Sequence, residues 1–323
     1  MKYAQFGKTG LAVSKIAAGT WGIGGAGWGG QAEADSVEAL NAMLEAGVNL
    51  IDTAPIYGYG LAEQVVGRAL AGRDRSSLVI ATKFGVTWPD GPSSGVLVQN
   101  GSKSNIMREL ELSLKALQTS YIDVYLQHWP DTDTKASAEE TFTTLQDLKD
   151  QGVIKHVGLS NSSPELIAAA AEFTAIEVLQ VQHSMLERSN EPLMAQAVAD
   201  GRAVMAWAPL AAGMLTGKYR TVPTFGPDDW RVLFYPFFQE PRFSRSLGLL
   251  EVLDGVAAAH QVPVAAVALN WSASNPLVTT ALAGVRNALQ GQQNAAALDW
   301  ELTPSELEAI NLAIDQLQDK TQS

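Results

Sequence analysis

Short apolar or β-branched runs bounded by turn residues alternate along the whole chain with Ala-, Leu- and Glu-rich stretches of helical periodicity. That alternation is the βα rhythm of a parallel sheet. The predicted strands cover residues 15–19, 48–52, 78–82, 122–127, 154–159, 177–182, 203–207 and 278–282. Eight such strands fit a closed (β/α)8 TIM barrel of the α/β class. Ahead of them, residues 2–6 and 11–13 flank Gly7 and Gly10, which predicts a small N-terminal β-hairpin plugging one end of the barrel. Ser163-Pro164-Glu165 and Thr303-Pro304-Ser305-Glu306 each set a capping hydroxyl before a proline at the first helical position, and the second begins an extra C-terminal helix. Residues 218–245 break the rhythm. Pro223, Pro227, Pro236 and Pro241 punctuate an aromatic stretch holding Phe225, Trp230, Phe234, Tyr235, Phe237 and Phe238, which predicts a long structureless loop of functional character. With no repeat, low-complexity tract or linker, residues 1–323 read as a single domain.

Composition narrows the function classes. The 46% hydrophobic and 17% charged content is that of a soluble globular chain able to bury a large core. A formal net charge of -12 weighs against nucleic acid or an anionic membrane as a partner, so an anionic cofactor must be met by a local basic patch. The chain has no cysteine, which removes disulfides, thiolate zinc sites and thiol nucleophiles. Its four histidines, His128, His156, His183 and His260, show no metal-ligand spacing, and no metal is expected. Residues 1–7 lack the apolar core of a signal peptide, and no apolar run approaches the roughly 18 residues of a membrane span. The expectation is a cytoplasmic protein; oligomeric state is not legible in the sequence.

In a parallel barrel the reacting groups come from the C-terminal ends of several strands. Asp52 ends the second predicted strand and leads into Thr53-Ala54-Pro55-Ile56-Tyr57-Gly58; Lys83 follows the third strand and His128 the fourth. Groups projecting from three neighbouring strands converge on one pocket. A phenol with a pKa near 10 is a poor proton donor until its phenolate is stabilised, and Lys83 is the group to do so. Asp52 would keep Lys83 protonated and in place, Tyr57 would act as general acid, and His128 would orient a carbonyl or help relay the proton. Donors from Tyr57 and His128 would stabilise the negative charge that hydride transfer creates on the carbonyl oxygen. Taken one at a time, such residues are more often a packing tyrosine, a structural ion pair and a satisfied imidazole; their shared position at strand ends sets them apart.

Two motifs and one rival chemistry compete with this. Gly22-Ile23-Gly24-Gly25-Ala26-Gly27 satisfies the dinucleotide fingerprint G-x-G-x-x-G, but Trp28-Gly29-Gly30 continues the loop where a helix should already have opened. Gly213-Met214-Leu215-Thr216-Gly217-Lys218 is one residue short of a phosphate loop and lacks a hydroxyl residue after the lysine. A lysine at a strand end also suits a Schiff-base aldolase, although a charged Lys83 beside Asp52 is a poor nucleophile.

The chain resembles the aldo-keto reductase family in six separate segments. These are Asp52-Thr53-Ala54-Pro55-Ile56-Tyr57-Gly58-Tyr59-Gly60 with Glu63, Val66 and Gly67; Ile80-Ala81-Thr82-Lys83; Tyr121 through His128; Gly158-Leu159-Ser160-Asn161; Trp207-Ala208-Pro209-Leu210 with Gly213, Leu215, Gly217 and Lys218; and Gly284-Val285-Arg286-Asn287 with Gln290 and Asn294. The likeness spans nearly the whole chain and is greatest to bacterial members of the kind encoded with inositol-catabolism and general-stress genes. It implies reduction of aldehydes or ketones with a nicotinamide cofactor, NADPH preferred and NADH possible.

On matching positions the resemblance implies that Ser160, Asn161 and Gln182 bind the nicotinamide carboxamide and that Trp207 stacks on the ring. It places Thr20, Trp21, Asp52, Ala208, Pro209, Leu210 and Gly213 along the ring and pyrophosphate, with Lys218 countering phosphate charge. Arg286 would clasp a 2′-phosphate through its planar fork, with Gly284, Gln290 and Asn294 around the adenosine. Ala208 stands where the family commonly has serine and Gln293 where it has an acidic residue, so the bonds of those side chains are lost while backbone contacts survive. For the substrate, Trp21, Trp88 and Trp129 are expected to form an apolar carbonyl pocket with Tyr57 and His128, and the aromatic stretch of 218–245 to close over it. The resemblance extends to potassium-channel β subunits, which bind cofactor and serve mainly as partners; retention of all four reactive residues favours catalysis.

Overall fold

The computed structural model describes residues 1–319 except 26, 30, 31, 92–94, 227 and 228. Ala26, Gly30 and Pro227, which entered the sequence reading, lie outside the described residues. In chain order the strands are β1 (Tyr3–Gln5), β2 (Ala12–Ser14), β3 (Ile16–Gly19), β4 (Leu50–Asp52), β5 (Val79–Phe84), β6 (Val86–Thr87), β7 (Val98–Gln99), β8 (Ile122–Gln127), β9 (Ile154–Ser160), β10 (Ile176–Gln182), β11 (Ala203–Trp207) and β12 (Thr280–Gly284). The helices are α1 (Glu33–Glu45), α2 (Leu61–Leu70), α3 (Lys103–Leu117), α4 (Ala138–Asp150), α5 (Pro164–Ala171), α6 (Glu191–Ala199), α7 (Trp230–Phe234), α8 (Arg242–His260), α9 (Val264–Ser274), α10 (Ala288–Ala295) and α11 (Pro304–Asp319).

Eight parallel strands, β3, β4, β5, β8, β9, β10, β11 and β12, close into a barrel in sequence order, with β12 pairing back onto β3. This is the predicted (β/α)8 barrel. Its core follows from the two-residue period of a strand. Ala17, Leu50, Val79, Ala81, Val124, Leu126, Val178, Ala203, Met205 and Leu282 form the interior, and Phe6 and Val13 of the antiparallel β1–β2 hairpin complete it as the predicted plug. The alternate residues, among them Ile16, Ile51, Ile80, Tyr125, Val157, Leu179 and Val204, pack outward against the helices.

The same alternation decides where chemistry can sit. Continuing the inward series one step up each strand gives Asp52 after Leu50, Lys83 after Ala81, His128 after Leu126, Gln180 after Val178 and Trp207 after Met205. A polar layer therefore lies directly on the apolar filling. The structure shifts several strand boundaries. β5 runs on to Phe84, so Lys83 belongs to the strand rather than following it, and β12 occupies 280–284 rather than 278–282.

The predicted caps form: Ser163 Oγ accepts from Leu166 N at 3.3 Å, and Thr303 and Glu306 make a reciprocal box at the start of α11. Residues 218–245, expected to be structureless, instead hold α7, a 3₁₀ turn at Pro236–Phe238 and the start of α8. Tyr235, Phe237, Phe238 and Phe243 are buried there against Met214, Leu215, Leu250 and Trp271, forming a second apolar core beside the barrel. The prolines interrupt regular structure, but the aromatic area buried is large enough to fold the segment. Among the described residues no single helix is long and apolar enough to cross a membrane.

Candidate active site

Lys83 is completely buried at the top of β5, where its ammonium donates to both Asp52 carboxylate oxygens at 2.9 Å, to Thr53 O at 2.9 Å and to the Tyr57 hydroxyl at 3.0 Å. Gln180 Nε2 completes the layer by donating to Asp52 Oδ1 at 2.6 Å. A buried charge is tolerable only when paired and fully hydrogen-bonded, and this arrangement meets both conditions. Burial drives Lys83 down and Asp52 up, each toward its neutral form, and their mutual attraction opposes both shifts.

Tyr57 arrives from a tight turn after β4 in which Tyr57 N bonds Ala54 O and Ala62 N bonds Tyr57 O. Its phenol is pushed well above the ordinary value, first by burial and then by the charge of Asp52 and by Tyr235. Tyr57 therefore rests protonated. That is the state a proton donor must hold, and Lys83 is placed to stabilise the phenolate it leaves.

His128 N bonds Phe84 O at 2.9 Å, and its ring stands edge-on to Tyr57 with centroids 5.6 Å apart. Burial and Lys83 hold the imidazole well below its usual pKa, so it is neutral and fit to donate or accept one hydrogen bond. All four sequence-nominated reactive residues are brought together.

The surrounding positions are partitioned. Thr20 is spent on structure: its N and Oγ1 both donate to Asp52 O, at 3.1 and 3.0 Å. Ser160 is buried and accepts from Asn161 Nδ2, which also donates to His128 O, while Asn161 itself adopts φ +55. Gln182 sits on the inward face of β10 opposite Trp207 on β11 and is partly exposed. Beyond Trp207 the backbone enters left-handed conformations at Ala208, Ala211, Ala212, Gly213 and Gly217. Strain of this kind in alanine collects at ligand sites. Buried Pro209 and partly exposed Leu210 lie within this curl. This backbone, with the unpartnered buried Nε1 of Trp207, fits a dinucleotide pyrophosphate and ring.

Lys218 follows the curl, with its ammonium 5.4 Å from the Tyr219 ring centroid. Asn294 Nδ2 donates to Gly284 O at 3.0 Å, and Gln290 Oε1 accepts from Arg286 N at 3.0 Å, so both hold the turn after β12. The Arg286 guanidinium bonds Trp28 O at 3.0 Å and Gly29 O at 3.3 Å, joining that turn to the β3–α1 loop.

An aromatic rim surrounds the polar layer. Trp21 lies 6.2 Å from Tyr57 and stacked on it, 6.1 Å from Trp207, 4.9 Å from Trp28 and 5.6 Å from Trp230. Trp88 packs edge-on to Tyr59 and joins the cluster of Ala54, Ile56 and Tyr57. Trp129 is exposed beyond His128. After the glycine run that imitates a dinucleotide fingerprint, α1 begins at Glu33. A Cβ on Gly24 would lie 2.3 Å from Gly58 N, and one on Gly27, at φ +72, 2.5 Å from the Trp230 ring.

Gln180, mid-strand on β10 with the inward parity of Gln182, and Glu63, buried beneath the site, join these residues without a local signal in the sequence.

Residues 15–315 match the model of the aldo/keto reductase family. Aldo-keto reductase YhdN of Bacillus subtilis (strain 168) is 34% identical over 319 residues, 98% of this chain and 94% of the relative. The NADH-specific methylglyoxal reductase of Escherichia coli (strain K12) is 30% identical, over 95% of this chain and 96% of its own length. Among solved structures, glycerol dehydrogenase AKR11B4 from Gluconobacter oxydans superposes with a TM-score of 0.87 at 32% identity, covering 97% of this chain and 95% of its own.

Proposed function

The chain belongs to the aldo/keto reductase family and is a carbonyl-reducing oxidoreductase that uses a nicotinamide cofactor, and from that premise we propose that Tyr57, Lys83, Asp52 and His128 carry the reduction of a small aldehyde or ketone. The contact that supports this most directly is Lys83 Nζ, 3.0 Å from the Tyr57 hydroxyl and 2.9 Å from both oxygens of Asp52.

In this reading the bound nicotinamide supplies a hydride to the carbonyl carbon. The chain's own residues do the rest. Tyr57 and neutral His128 donate to the carbonyl oxygen, which orients the substrate and stabilises charge as it develops. Tyr57 gives its proton to that oxygen, and Lys83 holds the phenolate left behind. Asp52 and Gln180 fix Lys83, so the acid needs no reorganisation during the reaction. The aromatic rim of Trp21, Trp28 and Trp230 keeps bulk water from the polar layer, which strengthens these interactions.

For the cofactor, the strained curl at 208–213 would cradle the pyrophosphate, Trp207 would stack on the ring, and Ser160, Asn161 and Gln182 would bind the carboxamide. Asp52, Thr20 and Trp21 would line its inner side; Lys218 and the Gly284–Arg286–Gln290–Asn294 turn would take the adenosine end. Preference for NADPH over NADH rests on Arg286, the one guanidinium of that turn, although a relative is named for NADH specificity. We read residues 1–323 as one catalytic domain of the cytoplasm, with neither nucleic acid nor membrane as partner.

The test is a fluorescence titration of the purified protein with NADPH and NADH, followed by carbonyl-dependent loss of the reduced-nicotinamide absorbance over a panel of aldehydes and ketones. Tighter NADPH binding with turnover is the expected result. Cofactor binding without turnover on any carbonyl would overturn the catalytic assignment, and tighter NADH binding would overturn the role of Arg286.

A further inference from the structure

Two buried carboxylates outside the reacting set grip the strand that carries Lys83. Glu63 is 2% exposed in the first turn of α2, and its Oε1 accepts from Thr82 Oγ1 at 2.7 Å, one residue before Lys83. Glu109, 3% exposed on α3, accepts through Oε2 from Gly85 N at 2.7 Å, two residues after Lys83, and from Asn105 Nδ2 at 2.8 Å. α2 begins directly after the Tyr57 turn, with Leu61 N on Gly58 O and Ala62 N on Tyr57 O. The Glu63–Thr82 bond is therefore a cross-link between the segment that presents the acid and the strand that presents its lysine. Because adjacent strand residues face opposite ways, Thr82 points to the helices while Lys83 points into the barrel, so the cross-link acts from behind the site without touching substrate.

Resting on the proposed Tyr57–Lys83 acid, we propose that Glu63 is a positioning residue of the reductase site: tied to Thr82, with Glu109 holding the same strand at Gly85, it fixes the 3.0 Å contact between Lys83 and Tyr57. The groups facing Glu63 are Thr82 and Lys83 from β5, Ser113 and Glu109 from α3 and Tyr125 from β8. Burial raises Glu63 to about 7, against the hydroxyls of Thr82 and Ser113 and the charge of Lys83, and burial likewise raises Glu109 to about 7. The tie thus does not need a full negative charge, and a neutral amide can replace it: glutamine in place of Glu63 still offers Thr82 an accepting oxygen.

Three variants of the full chain, Glu63→Ala, Glu63→Gln and Thr82→Val, test this. We expect Glu63→Ala and Thr82→Val each to lower kcat by about tenfold, since small misplacements of reacting groups cost that much or more. KM and NADPH affinity should stay unchanged, and Glu63→Gln should restore most of the loss. In the cofactor-free protein, hydrogen exchange at amides 82–85 should speed up in the first two variants and not in the third. Should Glu63→Ala fail to fold, Thr82→Val, which keeps the shape of the side chain, decides the matter. Wild-type kcat together with wild-type exchange in Thr82→Val overturns the proposal, as does a Glu63→Gln variant as impaired as Glu63→Ala. A wild-type protein that reduces no carbonyl overturns the underlying acid assignment instead.

Discussion

The polar floor of the barrel mouth and the aromatic rim above it are held by different kinds of force. On the floor, Asp52 and Lys83 from the neighbouring strands β4 and β5, Tyr57 from the turn after β4 and Gln180 from β10 across the barrel share directional bonds of 2.6 to 3.0 Å and are buried. On the rim, Trp21, Trp28 and Trp88 come from loops and Trp230 from the short α7; they remain partly exposed and meet through ring contacts of 4.9 to 5.6 Å. A fully bonded buried layer has one arrangement, because any displacement leaves a charge unpaired. Ring packing tolerates several arrangements at little cost. The floor is thereby suited to one chemistry and the rim to adjustment around different substrates.

The comparison can be broken most sharply at the floor. Tyr57→Phe should lower kcat by about 10²–10⁴-fold, the usual worth of a positioned general acid, while NADPH affinity measured by fluorescence titration stays put. Turnover near the wild-type level would mean that the proton comes from elsewhere. Next in size is Gly24→Ala. The added methyl would lie 2.3 Å from Gly58 N, a backbone atom beside Tyr57 that cannot swing aside. The Tyr57 turn must move, and we expect kcat to fall by up to about 10²-fold with the fold retained by circular dichroism. Arg286→Ala should weaken NADPH binding by about 10- to 100-fold and leave NADH binding nearly unchanged, as expected for losing a charge-assisted bond to a 2′-phosphate. Equal losses for both cofactors would show that the guanidinium instead supports the loop through Trp28 O and Gly29 O.

What the sequence revealed follows the same division. The barrel and the clustering of Asp52, Lys83 and His128 were legible because strand ends announce themselves: Asp52 and His128 terminate apolar runs, and Lys83 interrupts one. Gln180 was not, since a glutamine inside a strand gives no local signal until the inward parity of Val178 is known. Glu63 and Glu109 lie on helices whose buried faces are defined only by packing against β5 and β8, so their burial is a tertiary fact. Prolines mask the short helices of 218–245 in the sequence, and the aromatic side chains that fold it meet Met214, Leu250 and Trp271 only in the tertiary structure. The glycine run at 22–27 misleads for a related reason. Gly24 and Gly27 allow close approach to Gly58 and Trp230, and a motif cannot state what approaches it.

Gly27 separates rim from floor at the lowest cost. Like Gly24 it would place a new methyl far inside contact distance, 2.5 Å from its neighbour, but that neighbour is the Trp230 side chain. The clash falls on a partly exposed indole of a five-residue helix rather than on backbone beside Tyr57. The φ of +72 at Gly27 adds about 1 kcal/mol of strain for alanine, which lowers stability without reaching the polar layer. For Gly27→Ala we therefore expect KM for bulky apolar carbonyls to rise about two- to fivefold, a shift worth no more than about 1 kcal/mol, with kcat for a small aldehyde unchanged. If kcat for the small aldehyde falls instead, the rim is mechanically coupled to Tyr57 through the Trp21 stack, and floor and rim act as one unit.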